Sequence, residues 1–282
     1  PLCLAWTDKM TLQILNYSDK EITQLVSEIV KNGSAVLHDQ DLTQREFVDA
    51  CKRMGVCDSW DYFMNPPDNP EISIVSGELD ENGNSIGMFT DQELEWHANG
   101  AGRHDFKEIC VSLYCVEECI DTTLSICNQC DMFAELSKEE QDYYRSIDVH
   151  LDATGVRVWP KDSNYKGSGE GDFGVSADFY KETIDRRPLV GKHPVDGREY
   201  LYFLIQYIKK AYIGNEEINI DEFYADLWPK MFRSKYMFHH VFRKGDILFM
   251  DQLHTIHRRS PVKKKERQLW RTAFDYSNTK FT

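Results

Sequence analysis

The chain has 282 residues, enough for one substantial core. Its formal charge of −14 argues against nucleic acid as a partner, because phosphate binding needs a basic face, and the single basic run Lys263-Lys264-Lys265 reads as a solvated loop. No apolar stretch approaches the roughly 20 residues of a membrane span, and Pro1-Leu2-Cys3-Leu4-Ala5-Trp6 is too short for a secretory signal. A cytoplasmic location with eight reduced cysteines is therefore expected.

In chain order, Ser18-Asp19-Lys20-Glu21 reads as a capping box opening a helix that runs through Val30 and Lys31. Gly33 to His38 is a short apolar strand. Asp41 to Glu46 opens a second helix that stops near Gly55. Asn65-Pro66-Pro67-Asp68-Asn69-Pro70 breaks the chain, Glu71 to Ser76 alternates as a strand, and Glu81-Asn82-Gly83-Asn84 has hairpin chemistry. Ile109 to Cys115 suits a buried strand. Cys115, Cys119, Cys127 and Cys130 invite a zinc-knuckle reading, but their surroundings read as a strand followed by a helix. Ser137 caps another short helix. Asp162 to Asp172 is a polar Gly/Ser-rich loop with the look of a lid. Tyr200 to Leu204 is a strand, Asp221 opens a helix towards Phe232, and Ile247–Met250 and Arg271–Phe274 are closing strands. Many short strands with a few peripheral helices, no repeat and no linker predict a single mainly β domain over 1–282, a double-sheet jelly roll.

The chemistry concentrates in two segments about 160 residues apart, Glu95-Trp96-His97-Ala98-Asn99-Gly100 and Gly245-Asp246 through His257-Arg258-Arg259. Two histidines and a carboxylate on one octahedral face leave open positions for a co-substrate and O₂, the pattern of a non-haem ferrous centre rather than of a closed zinc site. His97 and residue 99 share a face if they lie on one strand, and a histidine from a distant strand completes the set. Asp251 to His257 fits a strand end followed by a loop that turns His257 inward; His254 competes for the same role. Where a carboxylate would stand, the chain has Asn99. His104-Asp105 offers an alternative carboxylate, although neighbours on a strand face opposite ways. Arg267 and Arg271, four apart, present forks that bind carboxylates in bidentate fashion. A zinc hydrolase built on His97 and His257 lacks a general base at fixed spacing. A binding module that captures a small acid without turnover is the alternative from another class.

These residues resemble the taurine dioxygenase family of Fe(II)/2-oxoglutarate enzymes. The likeness runs through Gly33–Thr43, Met54-Gly55, Trp96-His97, Thr122-Thr123-Leu124, Phe133–Ser137, Arg187–Arg198, Gly245-Asp246, Asp251…His257 and Arg267-x-x-x-Arg271. The resemblance implies Fe(II) held by His97, Asn99 and His257. It implies 2-oxoglutarate held by Thr123 and Arg267, with Arg271 beside it, and O₂ as oxidant. It further implies hydrogen abstraction from an unactivated C–H of a small acidic or amino-acid-like substrate, with hydroxylation as the default outcome. Radical cyclisation, desaturation and halogenation are reachable from the same chemistry, and a place in secondary metabolism and self-association into a homo-oligomer fit it equally. The departure is Asn99. A neutral amide leaves the ferrous centre one unit more positive than a carboxylate would, and three consequences follow: a two-His-one-amide face, an anion such as chloride in the vacated place, or an inactive site.

Overall fold

In the computed structural model, the structure describes residues 12–57, 59, 65–88, 93–99, 108–118, 120–151, 186–205, 207–263 and 266–279. The expected loop at Asp162–Asp172 and the His104-Asp105 alternative lie outside them.

The helices form where the sequence caps them. Helix α1 (Asp19–Asn32) has Ser18 and Glu21 closed into a reciprocal capping box. The same device, Thr43 with Glu46 and Ser137 with Glu140, opens α2 (Gln44–Met54) and α4 (Lys138–Arg145). Asn128 caps α3 (Gln129–Ala134) and Asn219 caps α5 (Ile220–Met231). Gly33 ends α1 with φ +78°, and a Cβ there would lie 2.5 Å from Thr255 Cγ2, so both the backbone turn and the close approach require glycine. Among the described residues no helix is long and apolar enough to cross a membrane.

Two antiparallel sheets form the jelly roll. The larger runs β1 (Ser34–Leu37), β14 (Ile247–Asp251), β5 (Cys110–Glu117), β16 (Gln268–Asp275), β2 (Val56–Cys57), with β3 (Ser73–Ser76) also on β16. The smaller runs β13 (Met237–His240), β6 (Leu124–Asn128), β15 (Thr255–Arg259), β4 (Leu94–His97). A third sheet, β12 (Glu216–Ile218), β11 (Ile208–Ile213), β7 (Ile147–Leu151), β8 (Arg187–Pro188), and a hairpin of β9 (Val190–Lys192) with β10 (Glu199–Leu201) complete it.

The larger sheet is buried on both faces. Along β14, Ile247 and Phe249 join one apolar cluster with α1 and α2, while Leu248 and Met250 join another with Val75, Val111, Leu113, Leu124, Ile126 and Leu269. Two-sided burial explains why β5 and β14 read as unbroken apolar runs rather than as alternation. The second cluster is the interior between the two sheets, and the site opens from it.

Three readings need correction. The expected strand at Tyr200–Leu204 is cut short at Leu201: Tyr202 still donates to Leu189 O, but the Phe203 amide turns to the Gln129 side chain. His257 is not on a loop: Asp251 Oδ1 accepts from the Leu253 and His254 amides, the turn closes at once, and His257 sits in the middle of β15. Asn99 lies just beyond the end of β4 rather than on a strand with His97. The strand–helix reading of the cysteines is right: Cys127 is on β6 and Cys130 on α3, both unbridged, and burial pushes their thiols up, Cys130 to about 12.

Candidate active site

Strand pairing brings the two distant segments together. His97 on β4 is directly opposite His257 on β15, and their ring centroids are 4.3 Å apart. Opposed residues of an antiparallel pair present their side chains to the same face. The register slips between His257 and Arg259, where three residues of β4 span two of β15. This bulge turns both Leu94 and His97 inward, although they are three apart. Arg259, two residues past His257 and on its face, follows it into the interior.

The result is an open cavity lined by His97, Asn99, His257, Arg259, Arg267 and Arg271, with an apolar wall that includes Leu113, Leu124, Phe242 and Leu269. Arg267 and Arg271 reach it from the start of β16, on the face that carries Leu269. Arg271 is ion-paired to Glu108, and both are buried. All three arginines are nearly inaccessible, which is costly without anionic partners. Among the described residues, the cavity lining holds no carboxylate.

The imidazoles are held neutral. Burial pushes His97 down to about 4, with Arg259 and Arg271 adding to the effect, and burial, His97 and Arg271 push His257 well below the ordinary range. His97 Nδ1 is 2.6 Å from the Glu95 carbonyl, which takes that N–H and leaves Nε2 with its lone pair. Neutral imidazole with one nitrogen donated to a carbonyl is the form that ligates metals. His257 Nδ1 is buried with no hydrogen-bond partner. The Asn99 side chain lies beside His97, and the Asn99 backbone N–H donates to Gln252 Oε1 at 2.8 Å. Neutral nitrogens, an orphaned buried ring atom and an amide oxygen donor fit a ferrous ion, with negative charge left to the co-substrate.

Five of the six residues singled out by sequence therefore share one cavity. Thr123 is not among its lining residues. It sits at the entry to β6, where its N–H donates to Ser260 Oγ at 2.9 Å and its carbonyl accepts from Ser260 N at 3.0 Å. His254 is directed away from the cavity. Sequence reasoning missed Arg259, Glu108 and Gln252. For Arg259 the signal was present, since i and i+2 share a face of any strand through His257.

A model of the taurine catabolism dioxygenase TauD, TfdA family matches residues 4–273, and the chain belongs to that family. It is a non-haem Fe(II)/2-oxoglutarate-dependent dioxygenase, with Fe(II), 2-oxoglutarate and O₂ as its cofactors. Among solved structures, a taurine dioxygenase from Burkholderia xenovorans superposes with a TM-score of 0.69 at 17% identity, over 93% of this chain and 83% of that one. AAD-2 in complex with Mn(II) and N-oxalylglycine gives 0.68 at 15%, over 94% and 91%. These likenesses carry the jelly-roll fold. Among curated proteins there is no match.

Proposed function

We propose that the chain hydroxylates an unactivated C–H of a small acidic or amino-acid-like molecule. In this reading His97 and His257 hold Fe(II), Asn99 offers a neutral amide oxygen beside them, and residues 1–282 act as one oxygenase domain. The observation that carries the reading is the concentration of three buried arginines around two neutral imidazoles in one cavity of a chain whose overall charge is −14.

Fe(II) with 2-oxoglutarate and O₂ supplies the oxidising power when bound. The chain's own residues do the positioning. Arg271 is ion-paired to Glu108, and Arg267 and Arg259 bring further positive charge to the cavity, where an acidic co-substrate and an acidic substrate would be received. Arg267 takes the distal carboxylate of 2-oxoglutarate, with Thr123 at the neighbouring strand entry and Arg271 beside it. Arg259, on the strand that carries His257, faces the substrate. Leu113, Leu124, Phe242 and Leu269 exclude water and strengthen each of these charge contacts.

The test is succinate release from 2-oxoglutarate under air, together with the visible absorption of the anaerobic Fe(II)–2-oxoglutarate complex. His97→Ala and His257→Ala should each abolish that band and lower succinate release by more than about 100-fold. A normal band in His257→Ala would remove that residue from the iron.

A further inference from the structure

A second pair of histidines lies outside the cavity, in the turns where β9 meets β10 and β14 meets β15. His193 and His254 are fully buried, with ring centroids 4.1 Å apart. One donor atom each from His193, His254 and Asp251 lies within 4.8 Å of the others. Asp196 Oδ1 lies beside this group, 3.4 Å from His193 Nδ1 and 3.6 Å from His254 Nε2.

The hydrogen bonds fix which nitrogens are available. His193 Nε2–H donates to Asp251 Oδ2 at 2.9 Å, and the Val195 N–H approaches Nδ1 at 3.3 Å, so Nδ1 carries the lone pair. His254 Nδ1–H donates to the Val30 carbonyl at 3.0 Å. His254 Nε2 is left buried with no hydrogen-bond partner and aimed towards Asp196. Each imidazole thus gives one nitrogen to a protein acceptor and turns the other towards the same carboxylate, His193 Nδ1 with the Val195 N–H beside it at 3.3 Å and His254 Nε2 with no hydrogen-bond partner, the arrangement by which metal-ligating histidines are oriented. Donors about 2.0–2.1 Å from a tetrahedral ion lie about 3.4 Å from one another, the spacing that Asp196 Oδ1 keeps from both nitrogens.

Charge agrees. Asp196 and Asp251 meet here, and Arg198, whose Nε donates to Asp196 Oδ2 at 2.6 Å, is shared with Asp131. Three carboxylates against one guanidinium leave two negative charges. Asp196 is partly exposed and gives an ion a way in from solvent.

We propose that His193, His254 and Asp196, with Asp251 orienting His193, form a second metal site for a divalent ion of the zinc class, stapling the β9–β10 turn to the β14–β15 turn. The site is independent of the cavity, and its test does not depend on iron chemistry. Zinc binding is titrated on the whole chain by calorimetry, with bound metal counted after gel filtration. His97→Ala/His257→Ala should retain one equivalent of zinc. Adding Asp196→Asn or His254→Gln should weaken that equivalent at least tenfold. Cobalt(II) in the His97→Ala/His257→Ala protein should give the strong visible bands of a four-coordinate site. The near-isosteric Asp196→Asn change, at a partly exposed position, decides the matter if His254→Gln fails to fold. Loss of all zinc in His97→Ala/His257→Ala, or an equivalent indifferent to Asp196→Asn, would overturn the proposal.

Discussion

His254 and His257 are three residues apart, yet they finish in opposite surroundings. Among the described residues, His257 meets His97 among three arginines and no lining carboxylate, whereas His254 meets His193 beside Asp196 and Asp251 with one arginine. The ring separations are nearly equal, 4.3 and 4.1 Å. Imidazole proximity therefore does not define a site by itself. The charge around the pair distinguishes them: arginines surround the first, and carboxylates stand beside the second.

The largest expected effect breaks the charge balance of the first pair. Glu108→Gln would leave Arg271 buried without its counter-charge. Removing one partner of a buried ion pair costs about 3–5 kcal/mol, so the variant should unfold at much lower denaturant, read by circular dichroism. Near-normal stability would mean that solvent or the other arginines' partners compensate Arg271.

A reciprocal pair of variants comes next. Asp251 binds His193, Tyr276 and the Leu253 and His254 amides. Burial alone would raise its carboxyl, but His254, His193 and Tyr276 hold it down, at about 2. A depressed carboxyl contributes stability that is present above its unfolded value of about 3.9 and lost as pH falls towards 2. That is about 2–3 kcal/mol at neutral pH, and Asp251→Asn should lose it and show a flatter stability profile between pH 5 and 2. His97→Gln should do the reverse, with stability near normal and succinate release gone. If both variants lose the same property, the two pairs are not separate in role.

A smaller effect separates the arginines. Arg267→Met should raise the 2-oxoglutarate concentration needed for half-maximal succinate release at least tenfold, since truncating one partner of a desolvated charge pair costs about 2–5 kcal/mol. Arg259→Met should leave that requirement near normal and weaken substrate instead. The opposite outcome exchanges their roles.

Local physics made much of the fold legible. Capping boxes at Ser18, Thr43 and Ser137 depend on residues three apart, and apolar runs such as Ile247–Met250 declare a buried strand without knowledge of the partner. The histidines, Asn99 and the arginine pair were legible through their motifs. What stayed hidden are pairings across the sheets. Arg271 finds Glu108 across 163 residues, and His193 finds Asp251 across 58. The β4 bulge, which aims Leu94 and His97 together, appears only once β4 lies against β15.

The smallest change tests the residue on which the comparison turns. Asn99 lies beside His97 and is tied through its backbone N–H to Gln252, one residue past Asp251 on the turn leading into β15. Asn99→Asp would keep the shape and add one negative charge to a lining that has none among the described residues. An anionic oxygen binds a hard cation more strongly than a neutral one, so Fe(II) should bind more tightly, by about tenfold, as read by anaerobic titration. It would also compete with Arg259 and Arg267 for their anionic ligands, so the 2-oxoglutarate requirement should rise as the iron requirement falls. Chloride should strengthen Fe(II) binding to the natural protein more than to Asn99→Asp, because the aspartate would bring its own fixed anion beside the imidazoles. Equal iron affinity and equal chloride response in the two proteins would place Asn99 away from the metal, and the charge contrast between the two histidine pairs would then rest on the arginines alone.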